Sequence, residues 1–297
     1  MIDVGGVRGG AEGRARSPES AVIEQSGSAC TTTGFFVVVG HGIAAEMAAV
    51  FDAAHRFFAL PLADKTRSAM VDNQGYAGVG SGRSNRKEML GIGPHGFARW
   101  PDVAGFRQAV EHYQRAALRV AEDLLRALAV TLDVDPAFFA DRMHDPQCFL
   151  RMLRYPPTGE LATTEDAMTG QHTDYGAITL LATDGLPGLE VRLRDGTWTA
   201  VDAPAGSLVV NLGDMLARWT NDRYISTPHR VVSTGSGPDT ARYSIPFFVN
   251  PDPTTDVACI PSCVATEHPC RYEPVTAAEF LQGRIDGTIV LDNDPRR

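Results

Sequence analysis

No stretch of about 18 consecutive apolar residues occurs in this 297-residue chain, so no segment reads as a membrane-crossing helix. The first residues, Met1-Ile2-Asp3-Val4-Gly5-Gly6, lack the basic lead and apolar core of a secretory signal, and a cytoplasmic location is expected. Basic residues are outnumbered 27 to 36, and the net charge of -9 argues against nucleic acid or an anionic membrane as partner, because both reward basic surfaces. Nothing in the chain specifies an oligomeric state. Cysteine is scarce and odd in number: Cys30, Cys148, Cys259, Cys263 and Cys270. An odd count without a secretory signal fits free thiols. Cys259, Cys263, His268 and Cys270 cluster, but they include no Cys-x-x-Cys pair and are interrupted by Pro261 and Pro269, so a structural zinc site is disfavoured. No His-Glu-x-x-His pattern is present, which counts against a metal hydrolase. No internal repeat is evident.

What is present suits one large globular unit, with 43% hydrophobic and 21% charged residues. Residues 2–4 read as a short strand and residues 5–16, rich in Gly and Arg, as a loop. A helix is expected to start near Ser17 and Glu19 and run to about Thr31. Residues 35–39 form a buried strand run, and residues 44–59 a helix with Met47, Val50, Phe51, Ala54 and Phe58 at helical spacing. The Gly- and Ser-rich residues 75–84 read as a flexible loop. A long amphipathic helix lies within 101–132, carrying Val110, Leu118, Leu124, Leu125 and Leu128. From Phe149 onward the texture changes to short apolar runs between Gly, Pro and Asp turns, with strands expected at 178–181, 189–193, 198–201, 207–212, 229–232 and 242–249. A last helix is expected over 276–283. Helices followed by many short strands predict a mainly β fold with helices, namely a double-stranded β-helix (jelly roll) core inside a helical N-terminal shell. The chain divides on this reading into a helix-rich portion, 1–148, and a jelly-roll metal-binding portion, 149–297, of a single catalytic unit, 1–297.

The chemistry concentrates in Gly170-Gln171-His172-Thr173-Asp174-Tyr175-Gly176. On an extended strand, residues two apart share a face, so His172 and Asp174 offer an imidazole and a carboxylate to one cation. His229, followed by Arg230-Val231-Val232, can supply a third arm from another strand. Two histidines and one carboxylate occupy one triangular face of an octahedron and leave the opposite positions open, the arrangement of non-haem Fe(II) oxygenases. The same two-residue period puts Arg242 and Ser244 of Arg242-Tyr243-Ser244-Ile245-Pro246-Phe247-Phe248 on one face. A planar guanidinium fork and a hydroxyl suit a carboxylate. Arg242 heads an apolar strand, and a buried guanidinium needs a compensating anion, which a dicarboxylate co-substrate would bring.

Taken in order, these elements resemble the isopenicillin-N-synthase-like branch of the Fe(II)/2-oxoglutarate-dependent dioxygenases. The resemblance extends through Gly34-Phe35-Phe36-Val37-Val38-Val39-Gly40-His41-Gly42-Ile43, Leu150-Arg151-Met152-Leu153-Arg154-Tyr155-Pro156-Pro157, the Asn211-Leu212-Gly213-Asp214 turn and Arg271-Tyr272-Glu273-Pro274-Val275-Thr276. It implies iron held by His172, Asp174 and His229, and the distal carboxylate of 2-oxoglutarate held by Arg242 and Ser244 with help from Tyr155. His41 is expected to be structural. The charges balance: Fe²⁺, one aspartate and doubly charged 2-oxoglutarate sum to about minus one, and Arg242 brings the site to about zero. The implied activity couples decarboxylation of 2-oxoglutarate to oxidation of a small-molecule C–H bond by O₂, hydroxylation first, giving succinate and CO₂. Two alternatives stay open. One is a 2-oxoglutarate-independent Fe(II) oxidase of the ring-forming type. The other is a non-catalytic jelly roll that binds a metal or small molecule. Candidate substrate contacts are Arg83, Arg86 and Lys87 in the basic stretch before Glu88, Tyr175 and Phe248 near the metal strands, and Arg223 and Trp219 between those strands. The three basic residues would suit an acidic substrate.

Overall fold

The computed structural model describes residues 1–5, 18–80, 86–97, 99–157, 167–233 and 240–290. All but the first residue of the expected 5–16 loop lies outside them. The chain opens with β1 (Ile2–Asp3), α1 (Pro18–Thr32), β2 (Phe35–Val39), α2 (Ala44–Phe58), the one-turn α3 (Leu62–Lys65), β3 (Gly75–Ala77), β4 (Glu88–Ile92) and the long α4 (Phe106–Thr131). Strands then dominate: β5 (Phe149–Tyr155), β6 (Ala167–His172), β7 (Ile178–Thr183), β8 (Leu189–Arg192), β9 (Trp198–Ala200) and β10 (Leu208–Leu212). After the short α5 (Asp214–Trp219) come β11 (His229–Val232), β12 (Arg242–Val249), β13 (Asp256–Val257), β14 (Val275–Thr276) and α6 (Ala277–Asp286).

Twelve of these strands form two sheets, ordered β1-β2-β10-β7-β12-β5-β4-β3 and β6-β11-β8-β9. The fold is the expected jelly roll with helices packed outside. Strand alternation decides what faces where. On β5, Leu150 and Met152 join the core beneath α2 and α4, whereas Leu153 and Tyr155 join a second cluster with Met168, Leu189, Val191 and Val231 from the smaller sheet. On β12, Ile245, Phe247 and Val249 face the helices, leaving Arg242 and Ser244 in the interior register. Helix α4 buries Val110, Tyr113, Ala117, Leu124 and Leu128 at helical spacing, each large apolar side chain contributing about 1.5–3 kcal/mol.

Several expectations are corrected. Residues 75–84 are not wholly a loop: Gly75–Ala77 pairs antiparallel with β4, and β4 pairs with β5, which extends the large sheet by two strands. The Gly-rich composition hid this edge, where short strands are stabilised by a neighbour rather than by their own pattern. Not all cysteines are free thiols, because Cys259 and Cys270 form a disulfide with Cα atoms 6.1 Å apart. A reversal bridged at Ala265 and His268 brings them together. Cys30, Cys148 and Cys263 are free and buried. The last helix is longer than expected, starting with a capping box between Thr276 and Glu279 and ending at left-handed Gly287.

Candidate active site

His172 closes β6 and stands opposite His229 of β11 in the ladder. Asp174 lies two residues beyond His172, in the turn rather than on the strand, yet its carboxylate returns to the same place. Its Oδ1 is 4.0 Å from His172 Nε2 and 3.7 Å from His229 Nε2. One donor atom from each of the three lies within 4.8 Å of the others. Donors about 2.0–2.2 Å from a shared cation can be no more than roughly 4.4 Å apart, and both measured separations satisfy this.

The surrounding groups prepare these atoms for a metal. Nδ1 of His172 is 2.9 Å from the Gly170 carbonyl, and Nδ1 of His229 is 3.1 Å from the Thr227 carbonyl. A carbonyl only accepts, so each Nδ1 carries the proton and each Nε2 presents a lone pair. Desolvation, and next the adjacent His229, push the His172 pKa down to about 4, so the ring is neutral at physiological pH. Burial would raise the Asp174 carboxyl, but the two imidazoles and hydrogen bonds outweigh it and hold it below the usual carboxylate range. Those bonds come from Thr179 Oγ1 and Asn211 Nδ2, which both donate to Oδ2 at 2.7 Å and leave Oδ1 to the histidines.

Behind the His-Thr-Asp turn sits a closed ion pair. Arg284 of α6 reaches Asp214 at 2.7 Å, with side-chain exposures of 1% and 0%. Thr173, between the two candidate ligands, donates to Asp214 at 3.0 Å, and the Arg284 guanidinium lies 4.8 Å from the centre of the Tyr175 ring. The turn that carries Asp174 is thereby tied to the C-terminal helix. No spacing in the sequence signals this pair, whose members lie far apart along the chain.

A second part of the interior gathers the expected co-substrate residues. Arg242 pairs with Tyr155 across β12 and β5, and Ser244 with Leu153. The guanidinium carbon lies 5.2 Å from the Tyr155 ring centre, and Nε donates to the Leu186 carbonyl at 3.3 Å. Nη1 is buried with no hydrogen-bond partner. An orphaned guanidinium nitrogen beside a hydroxyl fits an arriving carboxylate. Tyr155 bonds the hydroxyls of Thr169, at 3.2 Å, and Ser244. Burial raises its phenol pKa, but the charges of Lys87 and Arg242 with these bonds reverse the sign and lower it.

Arg151, absent from the expected set, is interior by the same alternation that places Leu153 and Tyr155. Its Nη2 donates to Asn73 Oδ1 at 3.0 Å, its guanidinium lies 5.7 Å from the ring centres of both Phe149 and Phe248, and its Nε is buried without a partner. Burial disfavours its charge, and nearby Asp174 and Tyr175 partly restore it. Asn73 reaches it because Gly91, paired with Arg151, has no side chain: a Cβ there would stand 2.6 Å from the Asn73 carbonyl. Lys87, expected at the pocket mouth with Arg83 and Arg86, extends to Thr169 Oγ1 at 2.7 Å. Of the expected substrate contacts, Phe248 and Tyr175 are therefore close to the site, Arg86 is half-buried just ahead of β4, and Arg83 lies outside the described residues. Arg223 is exposed and donates to the Thr131 carbonyl at the end of α4, so nearness in sequence to His229 was misleading. Trp219 packs against Phe138 and Phe139 in the core. His41 is structural, its Nε2 2.8 Å from the Gly206 carbonyl.

Comparisons with known proteins agree with this geometry. The 2OG-Fe(II) oxygenase superfamily model matches residues 146–251, and the model for the non-haem dioxygenase in morphine synthesis N-terminal region matches residues 1–112. The 2-oxoglutarate-Fe(II) type oxidoreductase hxnY of Emericella nidulans is 36% identical, over 92% of this chain and 86% of that protein. Crystal structures of a full-length Neurospora crassa protein are similar, one in complex with alpha-KG and one with alpha-KG and thymine. Both give a TM-score of 0.87 at 28% identity, over 97% of this chain and 95% and 96% of theirs.

Proposed function

The chain belongs to the 2OG-Fe(II) oxygenase superfamily and is an Fe(II)- and 2-oxoglutarate-dependent oxygenase; from that premise we propose how its site is divided. His172, Asp174 and His229 hold the iron. Arg242, Ser244 and Tyr155 hold the distal carboxylate of 2-oxoglutarate. Arg151 and Asn73, with Phe248 and Tyr175, receive a small planar substrate bearing a carboxylate. The observation that carries this reading is the convergence of two imidazole nitrogens and a carboxylate oxygen in an interior that also holds a buried, unpartnered arginine nitrogen. Iron and 2-oxoglutarate, when bound, supply O₂ activation, with 2-oxoglutarate leaving as succinate and CO₂ and the second oxygen atom entering a substrate C–H bond as hydroxyl.

The chain's own residues do the rest. Thr179 and Asn211 fix the carboxylate of Asp174 so that one oxygen stays with the imidazoles. The apolar wall of Leu153, Met168, Val209 and Val231 keeps water from the polar groups between the sheets. Arg151 supports an anionic substrate because among the described residues no carboxylate pairs with it and its buried Nε has no partner, leaving its charge to be met by a ligand. The phenyl rings on its flanks support a planar one. The similar Neurospora crassa structures hold thymine or 5-formyluracil, which are small planar rings. We take 1–148 and 149–297 as parts of one catalytic unit, which the pairing of β4 with β5 supports. Among the described residues no helix is long and apolar enough to cross a membrane. We place the enzyme in the cytoplasm, where 2-oxoglutarate is made available by metabolism; the Cys259–Cys270 disulfide is the feature that points the other way.

Two measurements test this. Anaerobic Fe(II) with 2-oxoglutarate should give a visible metal-to-ligand charge-transfer band, and its absence would reject the iron and co-substrate assignments. A panel of aromatic and heteroaromatic carboxylates, each paired with its neutral amide, should show succinate release driven by the acids. Equal or better response to the amides would reject the substrate class.

A further inference from the structure

Residues 87 and 88 are neighbours with opposite circumstances. Glu88 begins β4, faces away from the barrel interior and is met by Lys65 at 2.5 Å, Tyr76 at 2.6 Å and Arg154 at 2.8 Å. Lys87, in the bend just ahead of β4, turns to the opposite side, where Thr169 and Tyr155 lie. Its ammonium donates to Thr169 Oγ1 at 2.7 Å and lies 5.8 Å from the Tyr155 ring centre. Among the described residues no carboxylate pairs with it. Arg242 lies 5.2 Å from the centre of the same ring. Hydroxyls run from Lys87 to the strand that carries Arg242: Lys87 bonds Thr169, Thr169 bonds Tyr155, and Tyr155 bonds Ser244, which stands two residues along β12 from Arg242. An ammonium has three protons to donate, and one is used.

We propose that Lys87 is a second cationic anchor for 2-oxoglutarate, meeting its distal carboxylate from the Thr169 side while Arg242 meets it from β12. This rests on the reading of Arg242, Ser244 and Tyr155 as the co-substrate pocket. The hydroxyl chain assigns Lys87 to that pocket rather than to the Phe149, Phe248 and Asn73 surroundings of Arg151. A cation tethered by a hydroxyl, without an in-chain anion, costs the empty protein stability and returns it when a dianion binds.

The test is calorimetric titration of the full chain loaded with Mn(II), which binds oxygen donors without turnover. Two ligands are compared: 2-oxoglutarate, and 2-oxovalerate, which keeps the 2-oxo acid head and carbon count but has no distal carboxylate. Lys87→Met should weaken 2-oxoglutarate roughly tenfold, the value of one charge-assisted contact. It should leave 2-oxovalerate and Mn(II) binding unchanged, and should not lower the Tm of the empty protein. Lys87→Arg should restore most of the loss. Thr169→Val, which frees the ammonium from its tether, should give a smaller loss confined to 2-oxoglutarate, and carries the test if Lys87→Met does not fold. Wild-type affinity for 2-oxoglutarate in Lys87→Met, or parallel loss of both acids, would overturn the proposal. Failure of the wild-type protein to bind 2-oxoglutarate at all would instead overturn the co-substrate pocket itself, and this inference with it.

Discussion

Arg284 and Arg242 are both buried arginines, yet among the described residues only one has a carboxylate for a partner. Arg284 is matched by Asp214 at 2.7 Å, deep behind the metal turn. Arg242, in the interior of the barrel, has a carbonyl at 3.3 Å and a tyrosine ring, and among the described residues no carboxylate. Both sites exclude water, so both bear the cost of desolvating a guanidinium. The difference shows what each region is for. Where a charge serves architecture, the chain supplies its own counter-ion. Where a charge serves binding, the counter-ion is left for the ligand to bring. Glu88 and Lys87 repeat the contrast at the entry to β4.

The harshest way to break the contrast is to remove the groups that the closed region holds in place. Asp174→Ala or His172→Ala should abolish metal binding and turnover together, read by metal titration and succinate release. Full activity in either variant would reject the ligand assignment. The next test compares the two arginines directly. Arg284→Met leaves Asp214 buried and unpaired, and should cost roughly 3–5 kcal/mol of stability in denaturant unfolding. Arg242→Met leaves no carboxylate behind, so its stability should hold while the 2-oxoglutarate requirement rises by about 30-fold or more, with iron still bound. Matching stability losses in the two variants would erase the distinction between architecture and binding.

A milder test is pH. Burial would raise the Glu88 carboxyl, but bonds from Lys65, Tyr76 and Arg154 win and hold its folded-state pKa below the ordinary carboxylate range. The unfolded-state value is about 4.3. A depressed folded pKa means that the stabilisation is fully present above the unfolded value and is lost as pH falls through the folded one. Glu88→Gln should therefore be less stable than wild type at neutral pH, with the gap closing in acid below about pH 4. A gap that stayed constant with pH would show that shape, not charge, makes Glu88 matter.

Much of the metal side was legible from residue order, because His172 and Asp174 are close in sequence and His229 begins an apolar strand. Arg242 and Ser244 were legible by strand alternation from Phe247 and Val249. The same alternation, run back along β5 from Tyr155, reaches Arg151, so that residue too was within reach of the pattern. Lys87 was legible as a basic residue near the pocket mouth, but its contact with Thr169 was not, since Gly- and Ser-rich residues masked β3 and its partner β4. Arg223 and Trp219 failed for the opposite reason: closeness in sequence to His229 says nothing about direction, and the α5 region turns them toward α4 and the Phe138–Phe139 cluster. The Arg284–Asp214 pair and the Cys259–Cys270 disulfide depend on tertiary reversal, which local pattern cannot encode.

That disulfide makes the smallest prediction. It closes an 11-residue separation at the surface, around the Asn221 turn that leads toward β11. Entropy of the unfolded chain alone would assign it about 2–4 kcal/mol. The loop, however, is also held by Asn221, whose Nδ2 donates to the Cys263 carbonyl at 3.2 Å and to the Pro269 carbonyl at 3.1 Å, and by His268, whose Nε2 is 2.9 Å from the Asn221 carbonyl. These contacts survive reduction, so Cys259→Ser should cost about 2 kcal/mol or less, at the low end of that range, and leave 2-oxoglutarate affinity unchanged. Like Arg284, the disulfide is completed within the chain and belongs to the architecture. A change in co-substrate affinity on reduction, without unfolding, would place it instead among the groups that face the ligand.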